Sequence, residues 1–141
     1  MGHNVLIVDD SAVIRQMVRR TLDMAGLDVA EVYEAANSIE ALAELNEHPV
    51  AVLLVDINMP TMNGIQLVTR MKQNDRLRDV PVVIVSTEGS AARIKELRRI
   101  GVFGYLRKPF QPEQLRDVLA PLLGVKENET ANQGNADDSL F

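Results

Sequence analysis

Four short segments of this chain carry side chains suited to phosphoryl chemistry: Asp9-Asp10, Asp56, Ser86-Thr87 and Lys108. The first three follow or close the apolar runs 5–8, 51–55 and 82–85, and Lys108 follows residues 104–107. If those runs are parallel strands, all four segments lie along one edge of a sheet. Three carboxylates gathered there repel one another, and like charges a few ångströms apart either raise a pKa or require a cation. A hard divalent ion held by oxygens resolves the conflict. Magnesium fits, because it accepts one or two carboxylates and keeps several waters. A positioned carboxylate is also a competent nucleophile. The charge on a transferred phosphoryl group is then met by a metal on one side and an ammonium on the other. Lys108 supplies the ammonium and Ser86 a hydroxyl donor.

Each segment alone has an ordinary explanation. Asp10 or Ser11 can cap the next helix. Asp56 can be a loop residue, Lys108 a solvated lysine, Ser86 a satisfied strand-end hydroxyl and Tyr105 edge packing. The weight lies in the joint pattern, with every piece at a strand's carboxyl end on strands one, three, four and five.

The runs at 5–8, 51–55 and 82–85 are continuous and rich in β-branched residues, the habit of strands buried on both faces of a parallel sheet. Residues 29–34 include Glu31 and Glu34 and read as an edge strand, as do residues 104–107. Helical spacing fills the intervals. Ile14, Met17, Val18, Leu22 and Ala25 share a first helical face, stopped by Gly26. Asn37 and Glu40 form a capping box for a second helix with Ile39, Leu42, Ala43 and Leu45. Ile65, Val68 and Met71 mark a third, and Ile94, Leu97 and Ile100 a fourth with Gly101 after it. Pro112 opens a fifth, which carries Leu115, Val118, Leu119 and Leu122. Strict alternation with right-handed crossovers gives an α/β, doubly wound five-stranded parallel sheet with five helices. Ligands in such sheets bind beyond the carboxyl ends of the strands.

The 141 residues suit one domain, and 46% hydrophobic content is enough for a core. Aromatics are only 4%, so that core is aliphatic. The absence of cysteine excludes disulfides and thiolate chemistry and fits a reducing cytoplasm. No apolar run is long enough to span a bilayer. Of the net charge of −5, residues 126–141 carry −3, one lysine against four acids. The remaining −2 gives no electrostatic reason to expect nucleic-acid binding. Residues 1–125 are expected to form the domain and 126–141 a disordered acidic tail. His3 and His48 have no metal-ligand spacing, and Met59 and Met62 are read as loop packing.

Val8-Asp9-Asp10-Ser11, Asp56-Ile57-Asn58-Met59-Pro60 with Gly64, Val85-Ser86-Thr87-Glu88 and Gly104-Tyr105-Leu106-Arg107-Lys108-Pro109-Phe110 resemble the response-regulator receiver family, in particular its single-domain, CheY-like members. The likeness runs from about Val5 to Leu123. It implies a flavodoxin-like sheet in the order 2-1-3-4-5. It also implies phosphoryl acceptance by Asp56, with Asp9, Asp10, Asp56 and the Asn58 backbone carbonyl around magnesium and Asp10 the more direct ligand. By the same likeness Lys108 contacts the phosphoryl group, Lys108-Pro109 is a cis peptide, and Ser86 and Tyr105 are the switch positions. Ser86 is chosen over Thr87 by the family's spacing from Lys108. Asn58 and Glu88 flank the phosphoryl site and match chemotaxis-type members.

The implied partners are a histidine kinase or histidine phosphotransfer protein and a downstream target. That target is placed on the face of helix four, strand five and helix five. Arg93, Lys95, Arg98, Arg99 and Arg107 make the region after the fourth strand basic, which a solvated helix face mostly explains, the alternative being a partner face on which Arg93, Arg98 or Arg107 meets acidic groups. The protein is expected to be cytoplasmic, and a monomer or a weak phosphorylation-dependent dimer. It is expected to be no enzyme beyond its own phosphorylation and dephosphorylation. Two rivals are a receiver cut from a longer regulator or hybrid kinase, and a phospho-aspartate phosphatase. The latter needs an Asp-x-Asp at the first strand, where this chain has Asp9-Asp10-Ser11. The chain has no G-x-x-x-x-G-K segment for a P-loop, and Ser11-Ala12-Val13 is not a hydroxyl-rich flavin-phosphate loop.

Overall fold

A computed structural model describes residues 2–126 other than Pro60, Thr61 and Glu88. The expectations for Glu88 and for the tail beyond Lys126 lie outside the described residues. The elements alternate as β1 (His3–Val8), α1 (Ala12–Met24), β2 (Val29–Ala35), α2 (Ser38–Glu47), β3 (Val52–Val55), α3 (Gly64–Lys72), β4 (Val82–Ser86), α4 (Ala91–Arg99), β5 (Gly104–Arg107) and α5 (Pro112–Leu123). The five strands are parallel in the order β2-β1-β3-β4-β5. β2 and β5 are therefore the edges, as expected for both.

Strand alternation divides the apolar runs between two cores. Val5, Ile7, Val52, Leu54, Val83, Val85 and Leu106 face one side, where Val18 and Leu22 of α1 and Leu115, Leu119 and Leu123 of α5 cover them. Leu6, Val8, Leu53, Val55, Val82 and Ile84 face the other, under Ala41 and Leu45 of α2, Leu67, Val68 and Met71 of α3, and Leu97 of α4. Burying such side chains contributes roughly 1.5–3 kcal/mol each by transfer free energy. Gly26 (φ 72°) and Gly101 (φ 97°) take the left-handed conformation after α1 and α4 that ends a helix.

Three helix faces differ from the expected ones. Met17 and Ile39 are exposed, at 54% and 64%. On α2 the expected Leu45 is buried and Leu42 packs against the core, but Ser38 and Ala41 join them in place of Ile39 and the exposed Ala43. On α5 the expected Leu115 and Leu119 are buried and Val118 and Leu122 pack against the core, with Leu123 added to the buried face. Half of the α2 capping box also shifts. Asn37 Oδ1 accepts from the Glu40 amide at 2.8 Å, but Glu40 accepts from the Ala36 amide, one residue earlier than the motif. An unforeseen box, Asn63 with Gln66, starts α3. Met59 is buried and Met62 packs against the core, as loop packing requires.

Among the described residues no helix is long and apolar enough to cross a membrane. After α5 the chain turns back to the α1–β2 connection. Val125 bridges Leu27, and the Lys126 amide donates to the Gly26 carbonyl at 2.7 Å. This closure lies at the amino-terminal edge of the sheet, away from the strand ends that carry the polar residues.

Candidate functional site

β1 and β3 are neighbours in register, so Val8 pairs with Val55 and their successors Asp9 and Asp56 emerge side by side. One carboxylate oxygen from each of Asp9, Asp10 and Asp56 lies within 4.8 Å of the others. Lys108 enters from the far edge and closes the cluster. Its Nζ donates to Asp9 Oδ2 at 3.1 Å and stands 3.8 Å from Asp56 Oδ2.

The three carboxylates are not equivalent. Asp9 is buried and its side chain is engaged on both sides, with Oδ1 accepting from the Ser11 amide at 2.9 Å and Oδ2 from Lys108. Asp56 Oδ1 accepts from the Asn58 amide at 3.2 Å. Asp10 is exposed, and no hydrogen bond among those described engages its carboxylate. Burial pushes the Asp56 carboxyl above its ordinary range. Asp9 and Asp10 push the same way, while Lys108 and the Asn58 amide pull it down. The donor set is all oxygen, with one carboxylate open to solvent and one held by the protein. That chemistry fits a hard divalent cation that retains waters.

Ser86 ends β4 fully buried, and its carbonyl accepts from the Lys108 amide at 2.9 Å, which ties the hydroxyl-bearing strand end to the lysine. Thr87 lines a groove with Ile14, Met17, Val18, Lys108, Pro109 and Phe110. Tyr105 pairs with Ile84 and packs on the α2–α4 side with its phenol oxygen buried. Lys108-Pro109 is cis, as the resemblance implied.

Two supports of the loop after Asp56 become visible in three dimensions. Ser38, buried at the start of α2, donates from Oγ to the Met62 carbonyl at 2.7 Å and pins the loop after Asp56. Gly64 begins α3 against that same loop, its amide donating to the Ile57 carbonyl at 2.9 Å. A Cβ there would stand 2.7 Å from the Asp56 carbonyl oxygen and 2.9 Å from Ile57 Cα, both backbone atoms. Gly64→Ala is therefore expected to cost about 1–3 kcal/mol by overpacking, read as a lower urea midpoint, and to displace Asp56 from Lys108. An unchanged midpoint would show that the loop has room to spare.

The doubly wound parallel sheet thus presents an acid cluster and a lysine together at its carboxyl edge, a set of groups suited to phosphoryl chemistry. The family model for the response regulator receiver domain matches residues 5–120, and the chain belongs to that family, the receivers of two-component phosphorelay signalling. A chemotaxis protein CheY homolog of Campylobacter jejuni is 38% identical over 128 residues, covering 90% of this chain and 97% of the relative. The sporulation initiation phosphotransferase F of Bacillus subtilis is 30% identical over 128 residues, 91% of this chain and 99% of the relative. Among solved structures, chemotaxis protein CheY4 of Vibrio cholerae superposes with a TM-score of 0.77 at 38% identity, covering 86% of this chain and 99% of that one.

Proposed function

We propose that Asp56 is the phosphoacceptor and that Asp9, Asp10, Asp56 and the Asn58 backbone carbonyl hold Mg2+ beside it. The supporting observation is the convergence of three carboxylates with the Lys108 ammonium 3.8 Å from the Asp56 side chain. A Mg2+ held by these residues would supply positive charge to the transferred group and to the acidic site that the donor approaches. An Asp56 carboxylate oxygen attacks the phosphorus of a phosphohistidine on a histidine kinase or phosphotransfer protein. The new O–P bond forms as the N–P bond breaks, and the imidazole leaves with its electron pair. Lys108 meets the charge of the transferred group, and Ser86 donates its hydroxyl to it. The chemistry ends with self-hydrolysis, so the protein acts as a switch and not as an enzyme with turnover on other substrates.

The added charge, about −1.5 to −2 at neutral pH, shifts an existing equilibrium of Ser86, Lys108 and Tyr105 toward a target-binding state. The face of α4, β5 and α5 suits that target. Phe103 is 47% exposed there and lines a groove with Ile94, Tyr105 and the exposed Arg98 of α4, so an apolar segment with an acidic flank fits. Likeness to chemotaxis proteins along nearly their whole length favours a chemotaxis-type switch acting in the cytoplasm.

Incubation with acetyl phosphate and Mg2+, followed by peptide mapping under acidic conditions, tests the acceptor. A single phosphoryl group on the peptide containing Asp56 is expected. Label on another residue, or none, would overturn the assignment.

A further inference from the structure

Asp10 is the carboxylate most open to a metal, yet nothing described holds its side chain. The planar Asp9–Asp10 peptide places the Asp10 Cα, so a turn of that peptide carries the Asp10 side chain with it. That plane is gripped from behind. Arg15, one turn into α1, donates from Nη1 to the Asp9 carbonyl at 2.6 Å. The same guanidinium donates from Nε to Glu34 Oε1 at 2.9 Å. Arg19, on the next turn of the same helical face, donates from Nε to Glu34 Oε2 at 3.1 Å and from Nη2 to the Val32 carbonyl at 2.9 Å. Glu34 sits on edge strand β2 opposite Ile7. One carboxylate thus anchors two arginines, and only one of them reaches the loop that carries the acids. The Arg15 side chain is only 16% exposed, and its guanidinium places one N–H on a carbonyl and another on a carboxylate.

We propose that Arg15 is a positioning residue for the divalent-metal site, fixing the Asp9–Asp10 peptide and through it the aim of the Asp10 carboxylate, with Glu34 as its anchor. Partners one shell behind a metal ligand commonly hold its orientation, and their loss costs about 10–100-fold in metal affinity. Arg19 shares the anchor but not the carbonyl, so it separates positioning from general tightening of the α1–β2 contact. Lysine cannot replace Arg15, because one ammonium does not span the carbonyl and the carboxylate as a fork does.

The inference rests on the reading of the acid cluster as a Mg2+ site, and two measurements keep the two apart. Calorimetric titration with Mg2+ of wild type, Arg15→Ala, Arg15→Lys and Arg19→Ala gives the affinity. Amide resonances of Asp10 and Ser11 in the metal-free proteins report the peptide directly. Arg15→Ala is expected to weaken Mg2+ about tenfold and to move both resonances, and Arg15→Lys to show most of each effect. Arg19→Ala is expected to lower the melting temperature while affinity and both resonances stay put. Wild-type affinity in both Arg15 variants, or an equal loss in Arg19→Ala, overturns the positioning role. If wild type gives no saturable heat, the Mg2+ reading falls with it. The metal-free resonances then still judge whether Arg15 holds the peptide.

Discussion

Asp56→Asn is expected to abolish phosphoryl uptake and, in the metal-free protein, to raise stability. The amide has no anionic oxygen to attack phosphorus, so loss of uptake from acetyl phosphate is complete. The gain in stability follows from the raised pKa of Asp56, caused first by burial and then by Asp9 and Asp10. A carboxyl whose folded pKa lies above its unfolded value is ionised at a cost to the fold, and that cost is present in full above the folded pKa. As pH falls through the folded value the native state takes up the proton and the cost fades. It is gone below the ordinary value of 3.8. With chelator present, the variant should melt above wild type at neutral pH, and the gap should shrink on acidification. Saturating Mg2+ should reverse the order, because a ligand at one hundred times its dissociation constant stabilises the form that binds it by about 2.7 kcal/mol. A variant that is labelled, or that melts below wild type at neutral pH without metal, contradicts the reading of the site.

Lys108→Ala should move two affinities in opposite directions. The ammonium lies 3.1 Å from Asp9 Oδ2 and 3.8 Å from Asp56 Oδ2, and it already neutralises part of the charge that a divalent cation would meet. A unit pair at roughly 4 Å in an effective dielectric of about 20 interacts by about 4 kcal/mol, before desolvation and rearrangement subtract from it. Without the lysine the cluster is more negative, so Mg2+ should bind about tenfold more tightly. The phosphoryl group loses its one fixed cation on the protein side. Affinity for beryllium fluoride in the presence of Mg2+ should therefore fall by about 10²–10³, the usual loss when a preorganised donor to a developing oxyanion is removed. Calorimetry measures the first and fluoride-dependent NMR shifts the second. A fall in both affinities would mean that the substitution has merely loosened the loop.

The strands were legible because burial on both faces removes the polar half of the alternation and leaves unbroken runs such as Leu53-Leu54 with their neighbours. The acid cluster was legible because parallel strands bring every carboxyl end to one edge, so order along the chain already implies proximity. Helix faces were read less well. A stripe of apolar residues is wider than the part the sheet covers, and Met17 and Ile39 lie on the uncovered margin. Ser38 and Arg15 escaped notice for a different reason. Their types usually mark solvent, and only the tertiary partners, the Met62 carbonyl for the one and the Asp9 carbonyl with Glu34 for the other, turn them into supports. Gly64 belonged to the recognised motif, but the backbone it must clear is invisible until α3 is laid against the loop.

The closure of Val125 and Lys126 onto the turn after α1 also has a practical consequence. Lys126 is exposed at the pole opposite the acids, so a fluorophore or a sensor surface coupled to that residue leaves the pole that carries Asp9, Asp10 and Asp56 open. Immobilisation by that end is the natural geometry for recording kinase encounters one molecule at a time.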